Sequence, residues 1–312
     1  MRKQFRDTVL ELAEADERVV LVFGDISVFL FEPFARRFPT RFYNLGICEN
    51  TLVSVAAGLA SQGFIPFVHT IAPFVTERCL EQIKDDVGYN GFPIHIVSCG
   101  ATYDYAWDGP THQALADMGS IRLIPGIDII QPGTTTELNQ LLRARYASGA
   151  ATYFRLSDHP HGVSLPVEFG RGVVVRDVDG PVTVLTAGPI LANVLPAVET
   201  LPVNVLYFST IKPFDSALLS RYAHTRLVVV HDATGLWEQV CEHATGPVVR
   251  LGLPDRYISC YGTVHDVRRE AGLDPEHIRE VVTGLVAHDR DAAPPVPASS
   301  GVSSGGGGVR VA

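Results

Sequence analysis

From Glu49 onward, the apolar residues Leu52, Val53, Ala56, Ala57 and Ala60 recur at steps of three and four. That spacing lines one face of a helix. The pattern predicts a helix closed by Gly63, which supplies the left-handed cap. Elsewhere apolar residues run together and predict buried strands: 18–24 (RVVLVFG), 41–45 (RFYNL), 65–69 (IPFVH), 92–100 (FPIHIVSCG) and IDIIQP. Helical periods fall between them, at TERCLEQIKDDVGY, near 113–120, and at 134–149, which opens on capping threonines and closes on a glycine. Strands alternating with helices predict a parallel sheet covered on both faces.

A second alternating set follows 157–172, a stretch rich in Pro, Gly and His whose HPH (159–161) is expected to be solvated. PVTVLTAG, VNVLYF and RLVVVHD predict strands. DSALLSRYA and AGLDPEHIREVVTGLVAH predict helices, the latter with Asp274 as N-cap and Pro275 at its first position. The fold class is therefore α/β, with two parallel-sheet α/β domains. The expected boundaries are 1–160 and 172–288, with a linker at 161–171. A low-complexity tail at 289–312 is expected to be disordered.

Composition narrows the classes. The chain has 312 residues, 46% of them hydrophobic, enough for two cores. A net charge of −9 without a basic cluster argues against a nucleic-acid partner. No apolar run approaches the length of a membrane span, and the amphipathic N-terminus lacks a signal core, so no membrane partner is expected. Five cysteines without a C-x-x-C pair fit buried thiols in a reducing compartment, hence a cytoplasmic location.

Three stretches carry candidate chemistry. Glu49 shares the apolar stripe, where a carboxylate is costly unless something pairs with it; the plain alternative is a first-turn acid facing the helix dipole. In DGPTHQALAD (108–117), Asp108 and His112 flank a Gly-Pro turn. A turn and cap explain Asp108 but leave His112 free for proton handling in a cleft. Phe74, in a strand-to-helix connection, is either core or a stacking face for a bound heteroaromatic. No dinucleotide fingerprint, P-loop or metal-ligand spacing occurs. Nor is there a G-D-G followed some thirty residues on by an asparagine, the pattern that holds a diphosphate through magnesium.

Together, GDIS (24–27), NLGICENTLVSVAAGLASQG, PFVHT, DGPTHQALAD with IPGIDIIQP, and AGLDPEHIREVV resemble the C-terminal half of transketolase. The resemblance is to the separate β chain of split, two-gene transketolases, over about residues 2–286. It implies a pyrimidine-binding domain followed by the transketolase C-terminal domain, with thiamine diphosphate as cofactor. It implies that Glu49 hydrogen-bonds a ring nitrogen of the aminopyrimidine, helping the cofactor lose the proton of its thiazolium carbon. Phe74 would stack on the aminopyrimidine beside Ile71, and Asp25 would line the cofactor cleft. Asp108 and His112 would contact the donor sugar's oxygens, giving His112 a catalytic place with Glu49. Arg2 and Arg155 would serve substrate binding.

The missing diphosphate pattern implies an α-type partner subunit, an α2β2 heterotetramer, and Mg2+ (or Ca2+) held at the partner's diphosphate site. Some positions depart from the family. Phe29 replaces a serine, Gly100 a histidine, and Trp107 the acid of GEDG. Asp158 falls where an arginine grips a sugar phosphate, and an acid there repels that ligand. A non-standard substrate is expected, either an unphosphorylated or modified sugar or a 2-oxo compound. The competing expectations are a β subunit of a 2-oxo acid dehydrogenase and a non-catalytic assembly subunit.

Overall fold

A computed structural model describes residues 1–291 of the protein. The expected tail lies outside the described residues except for its first three positions, which close the final helix, Pro275–Asp291.

Among the described residues, twelve strands follow one another: β1 (Val19–Phe23), β2 (Phe42–Asn44), β3 (Ile65–Ile71), β4 (His95–Cys99), β5 (Ile127–Ile130), β6 (Ala151–Arg155), β7 (Gly172–Arg176), β8 (Val182–Ala187), β9 (Val203–Phe208), β10 (Thr210–Lys212), β11 (Arg226–Val230) and β12 (Val248–Leu251). They form a seven-stranded sheet, β10-β5-β6-β4-β3-β1-β2, and a five-stranded one, β12-β11-β8-β9-β7. Both are parallel except at one edge: β10 runs antiparallel to β5, and β7 to β9. The expectation of two α/β domains holds, with antiparallel edges that the apolar runs did not reveal.

β10 belongs in sequence to the second set yet completes the first sheet, so the halves interlock. Lys212 Nζ donates to the carbonyls of Arg122 (3.0 Å) and Ile124 (2.6 Å). Tyr207 on β9 donates to Glu137 Oε2 at 2.7 Å. His161 is buried against the same carboxylate, Nε2 to Oε1 3.2 Å. The HPH stretch is therefore not wholly solvated: its second histidine is enclosed beside Glu137, whose carboxylate also accepts from the Tyr207 hydroxyl and the Gly133 amide.

Local sequence explains most elements. Thr134 Oγ1 accepts the Glu137 amide and starts the helix Thr135–Arg145, while Asp274 Oδ1 accepts the His277 amide at 3.1 Å. TERCLEQIKDDVGY departs from its predicted helix: Thr76 closes the helix Ala72–Thr76, Leu80–Gln82 is α-helical, and Ile83–Tyr89 widens into a π-helix. A core of Phe5, Phe23, Phe31, Phe34 and Phe67 fills one face of the first sheet, each ring contributing about 2–3 kcal/mol of burial.

Candidate active site

The chain passes from β1 outward to β2, then returns to place β3 on the other side of β1. Such a reversal opens a crevice at the carboxyl ends of the strands, where open α/β sheets take ligands. Four connections converge there: Asp25 after β1, Glu49 after β2, Phe74 after β3, and Gly100–His112 after β4.

Glu49 is the first residue of the helix Glu49–Ser61 and is only 4% exposed. Its buried neighbours on the helix are Leu52, Val53, Ala56, Ala57 and Ala60, the predicted stripe. The compensating partner is Arg78, whose Nη1 lies 3.2 Å from Glu49 Oε2. The Arg78 guanidinium in turn covers the Phe74 ring, 3.8 Å from its centroid. The His112 ring meets the edge of Phe74 at 5.2 Å, and Tyr105 stands next to His112 at 6.3 Å. A flat cation therefore lies on an aromatic face with its N–H groups directed at a buried carboxylate. That set of residues fits a flat aminopyrimidine, which asks for the same face and the same acceptor.

His112 Nδ1 is 2.9 Å from Thr111 Oγ1. Asp108 is exposed on the same turn. Its neighbour Gly109 has φ 70°, and a side chain there would strike the Tyr261 ring, so glycine is required twice over. Ile71 ends β3 beneath the site, with its Cγ2 near Gly100. Gly100 also has a positive φ, 75°, and the Tyr105 ring fills the space a side chain would take. Asp25, at φ 65°, is exposed, and its Oδ1 accepts from Asn44 Nδ2 at 2.8 Å.

The two expected substrate residues are both held in ion pairs, and only Arg2 stands within electrostatic reach of Tyr105. Arg2 is paired with Asp158, Nη2 to Oδ2 3.0 Å. Arg155 is fully buried and points into the interior. Its Nε donates to Asp117 Oδ2 at 2.7 Å, and its Nη2 to Thr102 Oγ1 and the Ala114 carbonyl, both at 2.8 Å. The structure does not bring Arg155 to the Glu49 cluster. Arg78 and Tyr105 were not anticipated. Arg78 lies four residues after Phe74, in the turn just past the helix Ala72–Thr76, and only the folded turn shows that the two side chains meet.

Two family models match the chain: "Transketolase, pyrimidine binding domain" over residues 1–159 and "Transketolase, C-terminal domain" over residues 170–278. The chain belongs to the transketolase family. Transketolase-family enzymes depend on thiamine diphosphate, in agreement with the Glu49–Phe74 arrangement. A 33.6 kDa protein of the fasciation locus of Rhodococcoides fascians is 37% identical over 68% of this chain and 68% of its own length. The 6-deoxy-6-sulfo-D-fructose transketolase subunit SqwH of a Clostridium species is 29% identical over 85% of this chain and 86% of that one. The 1-deoxy-D-xylulose-5-phosphate synthase of Chlorobium luteolum is 30% identical, and there the chain spans 47% of the relative's length. Among solved structures, a split-gene transketolase in an inactive β4 tetramer shares the fold with a TM-score of 0.78 at 25% identity, over 92% of this chain and 97% of that one. Among the described residues, no helix is long and apolar enough to cross a membrane.

Proposed function

We propose that this chain is the β subunit of a two-component, thiamine-diphosphate-dependent transketolase that transfers a two-carbon ketol unit. Its partner is an α-type subunit carrying the diphosphate site with its Mg2+ or Ca2+, in an α2β2 assembly in the cytoplasm. The observation that carries the reading is Glu49, a buried carboxylate beside an aromatic ring, already occupied by a flat N–H-bearing cation. The match to a split-gene transketolase over nearly its whole length supports a separate β chain.

The bound cofactor would supply an electron sink for the carbon–carbon cleavage. Glu49 would hold a proton between its carboxyl and the pyrimidine ring nitrogen, in a setting where the shared bond offsets the cost of burial. Phe74, beside Ile71, would give the ring its flat support. His112 Nε2 and Asp108 would contact the oxygens of the donor, where charge develops. Asp25 would line the cleft through its exposed carboxylate. The substrate would lack the usual terminal phosphate, because Arg2 is already neutralised by Asp158 and Arg155 is withdrawn into the core.

Reconstitution with the α-type subunit tests the reading. The pair is expected to turn over a ketose with thiamine diphosphate present, each subunit alone is expected to be inactive, and Glu49→Ala is expected to remove activity. Unchanged activity in Glu49→Ala would favour an assembly role, and turnover of a 2-oxo acid alone would favour a dehydrogenase-type subunit.

A further inference from the structure

Beyond His112 the mouth of the cleft is built from side chains to which the reading above gives no joint role. Arg2 and Asp158 form a half-exposed ion pair at 3.0 Å. Asp158 is held in place: its amide donates to Asp104 Oδ2 at 2.8 Å, and Ser157 Oγ donates to Asp104 Oδ1 at 2.8 Å. The Tyr105 side chain lies within electrostatic reach of both members of the pair. Its hydroxyl donates to Cys99 Sγ at 3.6 Å. Its ring occupies the volume above Gly100, where any larger residue would clash. The Trp107 ring meets the Tyr105 ring edge-on at 5.7 Å and is 62% exposed.

We infer that Arg2, Asp158, Tyr105 and Trp107 form a subsite for an uncharged, hydroxyl-bearing end of the substrate, and that Asp158 is the residue that excludes an anionic one. The inference rests on the transketolase reading and deepens it, assigning to particular residues the exclusion of a terminal phosphate that the reading expects. The physical basis is in the charges and surfaces. An arginine that faces a carboxylate at 3.0 Å presents almost no net charge to an arriving phosphate or sulfonate. The same pair offers N–H donors and carboxylate acceptors side by side, which suits a hydroxyl. The electron-rich faces of Tyr105 and Trp107 attract the polarised C–H groups of a polyol and give a doubly charged phosphate no partner. Asp104 fixes Asp158 from the buried side, so the charge on Arg2 is cancelled by a prearranged group.

The test uses the reconstituted α–β pair with thiamine diphosphate, comparing xylulose with xylulose 5-phosphate as donors and glycolaldehyde as the common acceptor. The wild-type pair is expected to use xylulose with kcat/KM about ten-fold above that of the phosphate. Asp158→Asn frees Arg2 and is expected to shift that ratio about ten-fold or more toward the phosphate, chiefly through KM. Trp107→Ala is expected to raise KM for xylulose and leave kcat nearly unchanged. A wild-type preference for the phosphate overturns the inference, as does a ratio unmoved by Asp158→Asn. If no ketose is turned over by the pair, the transketolase reading fails instead. The subsite is then decided by calorimetric titration of the same proteins with inorganic phosphate. Binding that appears only in Asp158→Asn supports charge exclusion, and equal binding in both overturns it.

Discussion

Arg78 reaches Glu49 at 3.2 Å while lying 3.8 Å above the Phe74 ring, so the cation occupies the place that the proposed site assigns to the cofactor's pyrimidine. On the proposed reading the two occupants would compete for Glu49 and the Phe74 face. A guanidinium is planar and rich in N–H groups, and it satisfies a buried carboxylate and an aromatic face together. Without it the Glu49 carboxylate would be enclosed and unpaired.

Arg78→Ala is therefore expected to act in two directions. The chain without cofactor loses a partner for Glu49 and becomes less stable. Thiamine diphosphate no longer has to displace the guanidinium and binds more tightly. Arg78 is half-exposed, which limits the competing interaction to about 1 kcal/mol, or roughly a five-fold lower half-saturating concentration. Cofactor titration of the α–β pair checks this, and weaker binding in Arg78→Ala would mean that Arg78 belongs to the cofactor-bound site.

Arg155 and Asp117 form the most enclosed ion pair among the described residues, and removing one partner should be far worse than removing both. Asp117→Ala strands a buried guanidinium and should cost about 3–5 kcal/mol in urea unfolding. The double change Asp117→Ala with Arg155→Met should recover most of that loss, because it leaves no uncompensated charge. A single-variant loss below about 1 kcal/mol would show that water reaches the pair.

The two halves of the chain should also respond together to one hydroxyl. Glu137 is 1% exposed and takes the Tyr207 hydroxyl and the Gly133 amide, both at 2.7 Å. Tyr207→Phe removes one of these from a buried carboxylate and should destabilise by about 2 kcal/mol. Because β9 and the Thr135–Arg145 helix belong to different halves, calorimetry should show one transition moved downward. A transition that splits into two would mean that the halves unfold separately.

Much of this architecture was legible along the chain because its physics is local. The stripe from Leu52 to Ala60 shows the helical period, and Asp274 with Pro275 marks a helix start that the His277 amide confirms. Glu49 stood out because an acid on an apolar stripe must be answered by something. What answers it, Arg78, comes from a different connection, and no property of the 49–60 segment identifies it. Arg155 and His161 were misplaced for a related reason. Charged and imidazole side chains are usually solvated, and only the tertiary placement of Asp117 and Glu137 makes their burial affordable. β10 was illegible because three residues have no pattern of their own and become a strand only by pairing with β5.

Asp104 should make stability depend on pH in the direction opposite to most carboxylates. Burial pushes its carboxyl from the ordinary value of 3.8 up to about 7, against the lowering effect of the Asp158 amide and the Ser157 hydroxyl. The charges acting on it are Asp158, which raises its pKa further, and Arg155, which lowers it. Between pH 3.8 and about 7 the folded chain keeps a proton that the unfolded chain has lost. The contribution to stability is thus complete below the lower value and disappears as pH rises through the upper one. Asp104→Asn can accept the Ala101 and Asp158 amides through its oxygen and donate to Ser157, and it does not ionise. The variant should match the wild type near pH 4 and exceed it near pH 8 by about 3 kcal/mol. Buried neutral His69 and His231, each held down to about 4 by desolvation, lose stability on acidification in both proteins and cancel in the difference. Urea unfolding of the two chains from pH 4 to pH 8 gives that difference directly, and a flat curve would mean that Asp104 is ionised in the folded chain throughout.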